Sequence, residues 1–126
     1  MNLAALLVIA VGGAIGSVCR YLMASGVQKV AHFAFPIGTL TVNIIGSMIV
    51  GLISGYIMNM QTHPLIRPAL IVGFCGGFTT FSTFSFETFG LIDGGEWGRA
   101  VLYAVMSVIA CVGGAALGFA AARLNG

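Results

Sequence analysis

The most unusual chemistry in the chain lies in the run Gly73-Phe74-Cys75-Gly76-Gly77-Phe78-Thr79-Thr80-Phe81-Ser82-Thr83-Phe84-Ser85-Phe86-Glu87. Adjacent glycines followed by Thr79, Thr80, Ser82 and Thr83 make poor continuous helix. Glycine is costly to order, and short hydroxyl side chains compete for the backbone. A break near Gly76–Thr80 is therefore expected. Inside a bilayer such a break survives only where protein, water or an ion satisfies the freed groups. Freed carbonyls could hold a cation, and the start of the half-helix beyond could favour an anion.

Phe78, Phe81 and Phe84 recur every three residues, which on one helix would set them on one face. Bulk toward core or lipid is the ordinary reading. Beside so many hydroxyls there is a second one: the ring edge carries positive partial charge and can solvate a small anion without a full charge. Glu87 is the only carboxylate inside any hydrophobic run; it is expected near a helix end, capping it or pairing with an arginine, in preference to a role in transport.

Two further stripes carry polar groups. Thr39, Asn43 and Ser47 follow i, i+4, i+8, with Thr41 beside them. Ser and Thr can bond the carbonyls of their own helix and so mean little alone. The Asn43 amide has two donors that a helix does not absorb, which suits either interhelical glue or a ligand contact. Tyr103, Ser107 and Cys111 repeat the spacing. A stripe of donors without a carboxylate suits an anion better than a cation, although residues that merely tolerate packing would give the same pattern.

These stripes need long apolar elements to carry them, and the composition supplies them. Of 126 residues 59% are hydrophobic and 6% charged, against about 25% charged in soluble domains. A soluble core of this size could not hide so much apolar surface. Four runs emerge: Leu3 to about Ser25, about Ile37 to Met60, about Leu70 to Phe89, and Arg99 to Ala122. Each is about the 20 residues a helix needs to cross the hydrocarbon layer. The connections near 26–36, 61–68 and 90–98 leave no room for a soluble domain, so residues 1–126 read as one all-α transmembrane domain. The first run is too long for a signal-peptide core and lacks a basic flank.

The net charge of +2, without a basic run, speaks against nucleic acid. Cys19, Cys75 and Cys111 lie in apolar stretches without CxxC spacing, and read as small buried hydrophobes rather than as a disulfide or zinc framework. His32 and His63 fall between the runs. No nucleophile–base pair, phosphate loop or dinucleotide fingerprint is present, so no enzyme activity is expected. Gly12 and Gly16, Gly51 and Gly55, and Gly114 and Gly118 have the spacing of close helix contacts, within one subunit or between two. Arg67 and Arg123 fall on one side of the membrane, Arg20, Lys29 and Arg99 on the other. So slight a bias does not select an orientation, and two opposed copies could pair about an axis in the membrane plane.

The same residues resemble the Fluc, or CrcB, family of microbial fluoride channels. The likeness rests on Gly12-Gly13-x-x-Gly16-x-x-x-Arg20-Tyr21, Gly38-Thr39-Leu40-x-Val42-Asn43-x-x-Gly46 and Gly73-Phe74-x-Gly76-Gly77-x-Thr79-Thr80-Phe81-Ser82-Thr83-Phe84. It implies an antiparallel homodimer of dual topology with two fluoride pathways, in a cell membrane such as the bacterial inner membrane. It also implies a structural sodium ion at the dimer centre on the main-chain carbonyls of Gly76 and Thr79. Fluoride contact would fall to Asn43, Phe81 and Phe84, with Thr39 toward the vestibule and Tyr103 and Ser107 along a polar track. Thr80, Ser82 and Thr83 would belong to the same pathway. The family's role is export of fluoride that enters as its uncharged acid. The competing class, a four-span dual-topology multidrug antiporter, needs an embedded carboxylate to exchange protons, and the first run has none.

Overall fold

The computed structural model describes residues 2–32 and 34–126. They form α1 (Leu3–Ala31), α2 (Ile37–Ile57), a π-wound segment (Pro68–Cys75) running into α3 (Gly76–Phe78), α4 (Phe81–Asp93) and α5 (Trp97–Asn125). Four stretches are long and apolar enough to span a membrane, the third being Pro68–Asp93 with its interruption.

The helices outrun the apolar runs at most ends. α1 has 29 residues, or roughly 44 Å at the usual rise, against a hydrocarbon layer of about 30 Å. A bilayer sets the shortest span, not the longest helix, so α1 continues six residues past Ser25. Asn2 Oδ1 caps its start on the Ala4 N–H at 3.0 Å, and His32, at φ 51°, ends it in the left-handed region. The expected 26–36 connection is correspondingly short; its Phe33 lies outside the described residues. α5 gains residues at both ends, whereas α2 stops at Ile57.

Two helix pairs carry most of the packing, and α1 also contacts α2. α2 lies along α5 over the most extensive contact, and α1 lies along the π-wound segment and α3. α4, beyond the interruption, instead contacts α5 and touches α2 only slightly. The break thus carries the third span from one helix pair to the other. α4 buries none of its residues. Much apolar surface faces outward on α1 and α5, as at Val18, Leu22, Ile109 and Val112, where only lipid or another chain can cover it.

All three glycine pairs serve contacts within the chain. A side chain at Gly12 or Gly16 would strike the backbone of the π-wound segment, and one at Gly51 or Gly118 the backbone of the facing helix. Gly51 lies against the Ala115 carbonyl, which cannot swing away as a side chain would. Gly51→Ala should destabilise the fold by about 1–3 kcal/mol, the usual cost of overpacking. Gly113→Ala, with open space around it, should be neutral or slightly stabilising. Thermal unfolding of both variants in detergent checks the pair.

Candidate functional site

The interruption falls at Thr79 (φ −89°, ψ 159°) and Thr80 (φ −150°, ψ 113°), both extended, before α4 restarts at Phe81. Its cause comes from another helix. Asn43 on α2 accepts the Thr80 N–H on Oδ1 at 2.8 Å and donates Nδ2–H to the Thr80 carbonyl at 3.0 Å. A peptide N–H must donate and a carbonyl must accept, so this clasp also settles the amide's orientation. The Thr80 N–H no longer points back to Gly76, and the Gly76 carbonyl loses the donor of a continuing helix. The Gly77 carbonyl is taken by Arg20 Nε of α1 at 2.9 Å.

Hydroxyls then rebuild the next helix start. Thr80 Oγ1 accepts the Thr83 N–H at 3.1 Å and donates to Thr83 Oγ1 at 3.0 Å, with Ser82 Oγ at 3.3 Å. This is an N-cap by side chain. Thr79 Oγ1 turns back to the Cys75 carbonyl at 2.9 Å.

Beside the break runs an open groove of about 390 Å³, walled by Asn43, Ser47, Thr80, Phe81, Phe84, Ser107 and Cys111 among others. Among the described residues no carboxylate lines it. The Phe81 and Phe84 rings stand 5.4 Å apart at 49°, and Phe84 stands 5.1 Å from Tyr103 at 59°. Tyr103 is fully buried and Ser107 nearly so. Among the described residues the Ser107 hydroxyl finds no hydrogen-bond partner, and the Tyr103 hydroxyl none of good geometry. Thr39 and Glu87 neighbour the Tyr103 ring's polar end, and the Thr39 hydroxyl donates to Glu87 Oε1.

The model of the CrcB-like protein family (Camphor Resistance, CrcB) matches residues 7–119. The chain belongs to this family. It is 49% identical over 119 residues to a fluoride-specific ion channel FluC of Geobacter sulfurreducens, covering 94% of this chain and 96% of the relative. It is 44% identical over 117 residues to one of Magnetococcus marinus, covering 92% and 95%. A third, from Nitratiruptor sp., is 42% identical over 109 residues, covering 86% and 84%. With its four apolar spans, this CrcB-like chain is a multi-pass bacterial membrane protein.

Several expectations for the site change in this CrcB-like fold. Gly76 and Gly77 are helical, not the break itself; a side chain at Gly77 would lie 2.5 Å from the Gly13 carbonyl, so that glycine serves close approach. Phe78 does not share a face with Phe81 and Phe84. It is buried on the other side of the break, stacked on Phe74 at 5.7 Å and 9°. Glu87 bonds the Thr39 hydroxyl, where an arginine partner or a helix-end cap was expected.

Of the anticipated pathway residues, the groove gathers Asn43, Thr80, Phe81, Phe84 and Ser107. Thr39 and Tyr103 are buried beside it rather than in its wall, and Ser82 and Thr83 cluster with Thr80 at the α4 cap. Arg20 escaped the sequence reading as a site residue. Its signal was there: an arginine within an apolar span must find an acceptor at depth.

Proposed function

We propose that the chain is a fluoride-selective channel that lets cytoplasmic fluoride leave the cell, working as an antiparallel homodimer. One observation carries this reading. The Phe81 and Phe84 rings flank a groove whose polar wall consists of the Asn43 amide, hydroxyls and the Cys111 thiol, with the buried Ser107 hydroxyl unpartnered and no carboxylate among the described residues. A small, strongly hydrated anion gives up water only where many modest donors replace it, each weak enough to release it. The second amide hydrogen of Asn43, the Ser107 O–H and the positive edges of two phenyl rings are donors of that kind. The FluC name of the relatives agrees with it. Glu87 lies outside the groove wall and is engaged by Thr39, so the antiporter alternative finds no carboxylate within the groove to exchange protons.

A second copy fits for two reasons. Phe81 stands 78% exposed in a single chain, so the groove lacks a wall that a partner would provide. The near balance of Lys and Arg between the two sides lets copies insert in both orientations. In such a pair the Gly76 and Thr79 carbonyls of both chains would hold a sodium ion. The fit is chemical: the Gly76 carbonyl is robbed of its helical donor by the Asn43 clasp, Thr79 is extended, and neutral oxygens suit a hard monovalent cation. Bound there, sodium would take up the lone pairs of the freed carbonyls and tie the two breaks together.

The experiment is efflux from sealed liposomes holding the purified protein. Fluoride, read with an ion-selective electrode, should leave rapidly while chloride stays. Vesicles prepared with a bulky organic cation in place of sodium should leak fluoride more slowly. Retention of fluoride by wild-type vesicles would reject the channel.

A further inference from the structure

The aromatic row Phe81–Phe84–Tyr103 continues one residue beyond the groove. Phe35, in the short connection before α2, packs its ring against Tyr103 in a T-shaped pair, with centroids 5.4 Å apart and planes at 77°. Its own place is held from α1. Gln28 Nε2 donates to the Phe35 carbonyl at 3.1 Å, and Gln28 Oε1 accepts the Gly38 N–H at 3.1 Å. The same amide therefore caps α2, whose N-cap residue Pro36 offers no side-chain acceptor.

A buried phenol is ordinarily oriented by a hydrogen bond. Here Thr39 and Glu87 lie at the hydroxyl, with no hydrogen bond of good geometry among the described residues, so the flanking rings of Phe84 and Phe35 share in setting the ring. Removing Phe35 would leave one side of the Tyr103 ring without its aromatic contact and loosen the Phe84 ring packed against it. We propose that Phe35, held by Gln28, is a positioning residue of the pathway: it fixes the Tyr103 ring and through it the edge that Phe84 presents to the ion. This rests on the reading of Phe84 as a fluoride contact.

Full-length protein in liposomes tests it with the fluoride electrode. Phe35→Leu keeps an apolar side chain but loses the aromatic ring, and efflux should fall by about fivefold to tenfold, the factor equivalent to one aromatic contact. The size-exclusion profile should not change, and the melting temperature should fall by only a few degrees. Phe35→Tyr should restore most of the rate. Gln28→Glu retains an acceptor for the Gly38 N–H but has no donor for the Phe35 carbonyl. Efflux should fall there too, with α2 still capped and the melting temperature held. Phe86→Ile, on a residue 75% exposed and outside the groove wall, should run at the wild-type rate. Wild-type efflux in Phe35→Leu, or a loss that Phe35→Tyr does not rescue, would overturn the proposal while leaving the channel reading intact. A wild-type protein that passes no fluoride would remove the channel reading, and this inference with it.

Discussion

Phe81→Ile and Phe84→Ile should each cut fluoride efflux by about thirtyfold while the protein remains folded. Isoleucine keeps an apolar side chain of branched bulk, and apolar swaps of similar size usually cost under about 1.5 kcal/mol even in a core. Phe81 is not in the core at all, being largely exposed in its own chain, so its replacement disturbs little of this subunit's packing. The ring quadrupole is what disappears. The ring edge attracts an anion through the same quadrupole whose face attracts a cation; taken at the size of a desolvated cation–face contact, on the order of 2 kcal/mol, its loss corresponds to about thirtyfold. Size-exclusion chromatography and thermal unfolding establish that the variants are intact, and the electrode then reads the rate. Wild-type efflux in both would return these rings to ordinary packing.

Asn43→Asp should be more severe. The carboxylate still accepts the Thr80 N–H, so half of the clasp that shapes the break survives. The donor to the Thr80 carbonyl goes, a loss of about 1 kcal/mol for one neutral hydrogen bond. The second hydrogen of the amide, which lines the groove, goes with it. In its place stands a negative charge beside the path of an anion. Two like charges about 4 Å apart repel by roughly 4 kcal/mol at an intermediate dielectric, or about a thousandfold in rate. A modest fall in melting temperature with near-complete loss of efflux is the expected outcome. The reverse, a large loss of stability with efflux retained in the folded fraction, would make Asn43 interhelical glue and nothing more.

Much of this molecule was legible along the chain. Low charge and four apolar runs of bilayer length announced four spans, and the Gly76–Thr80 composition announced that the third would not be one helix. Self-bonding of spare hydroxyls was also foreseeable: Thr41, Ser85 and Thr88 each bond the carbonyl of their own helix, as apolar surroundings require. The groove residues Asn43, Phe81, Phe84 and Ser107 stood out because polar or aromatic stripes at helical spacing are informative where water is absent.

What sequence alone determined, then, was everything that follows from local composition and period: the spans, the weak point in the third, and the donor character of the stripes. Tertiary structure decided where those local tendencies resolve. The break sits at Thr79 and Thr80, not at the glycines, because Asn43, 37 positions away, claims the Thr80 peptide. That shift separates Phe78 from Phe81 and Phe84, which an unbroken period of three would have kept together. Glu87 finds Thr39 at a separation of 48, and Arg20 finds the Gly77 carbonyl at 57. Periodicity reports which face of a helix a residue occupies but not which helix that face meets. In a chain whose interior polar groups must each be satisfied by a neighbour, the docking of helices selects among partners that the sequence leaves equally available.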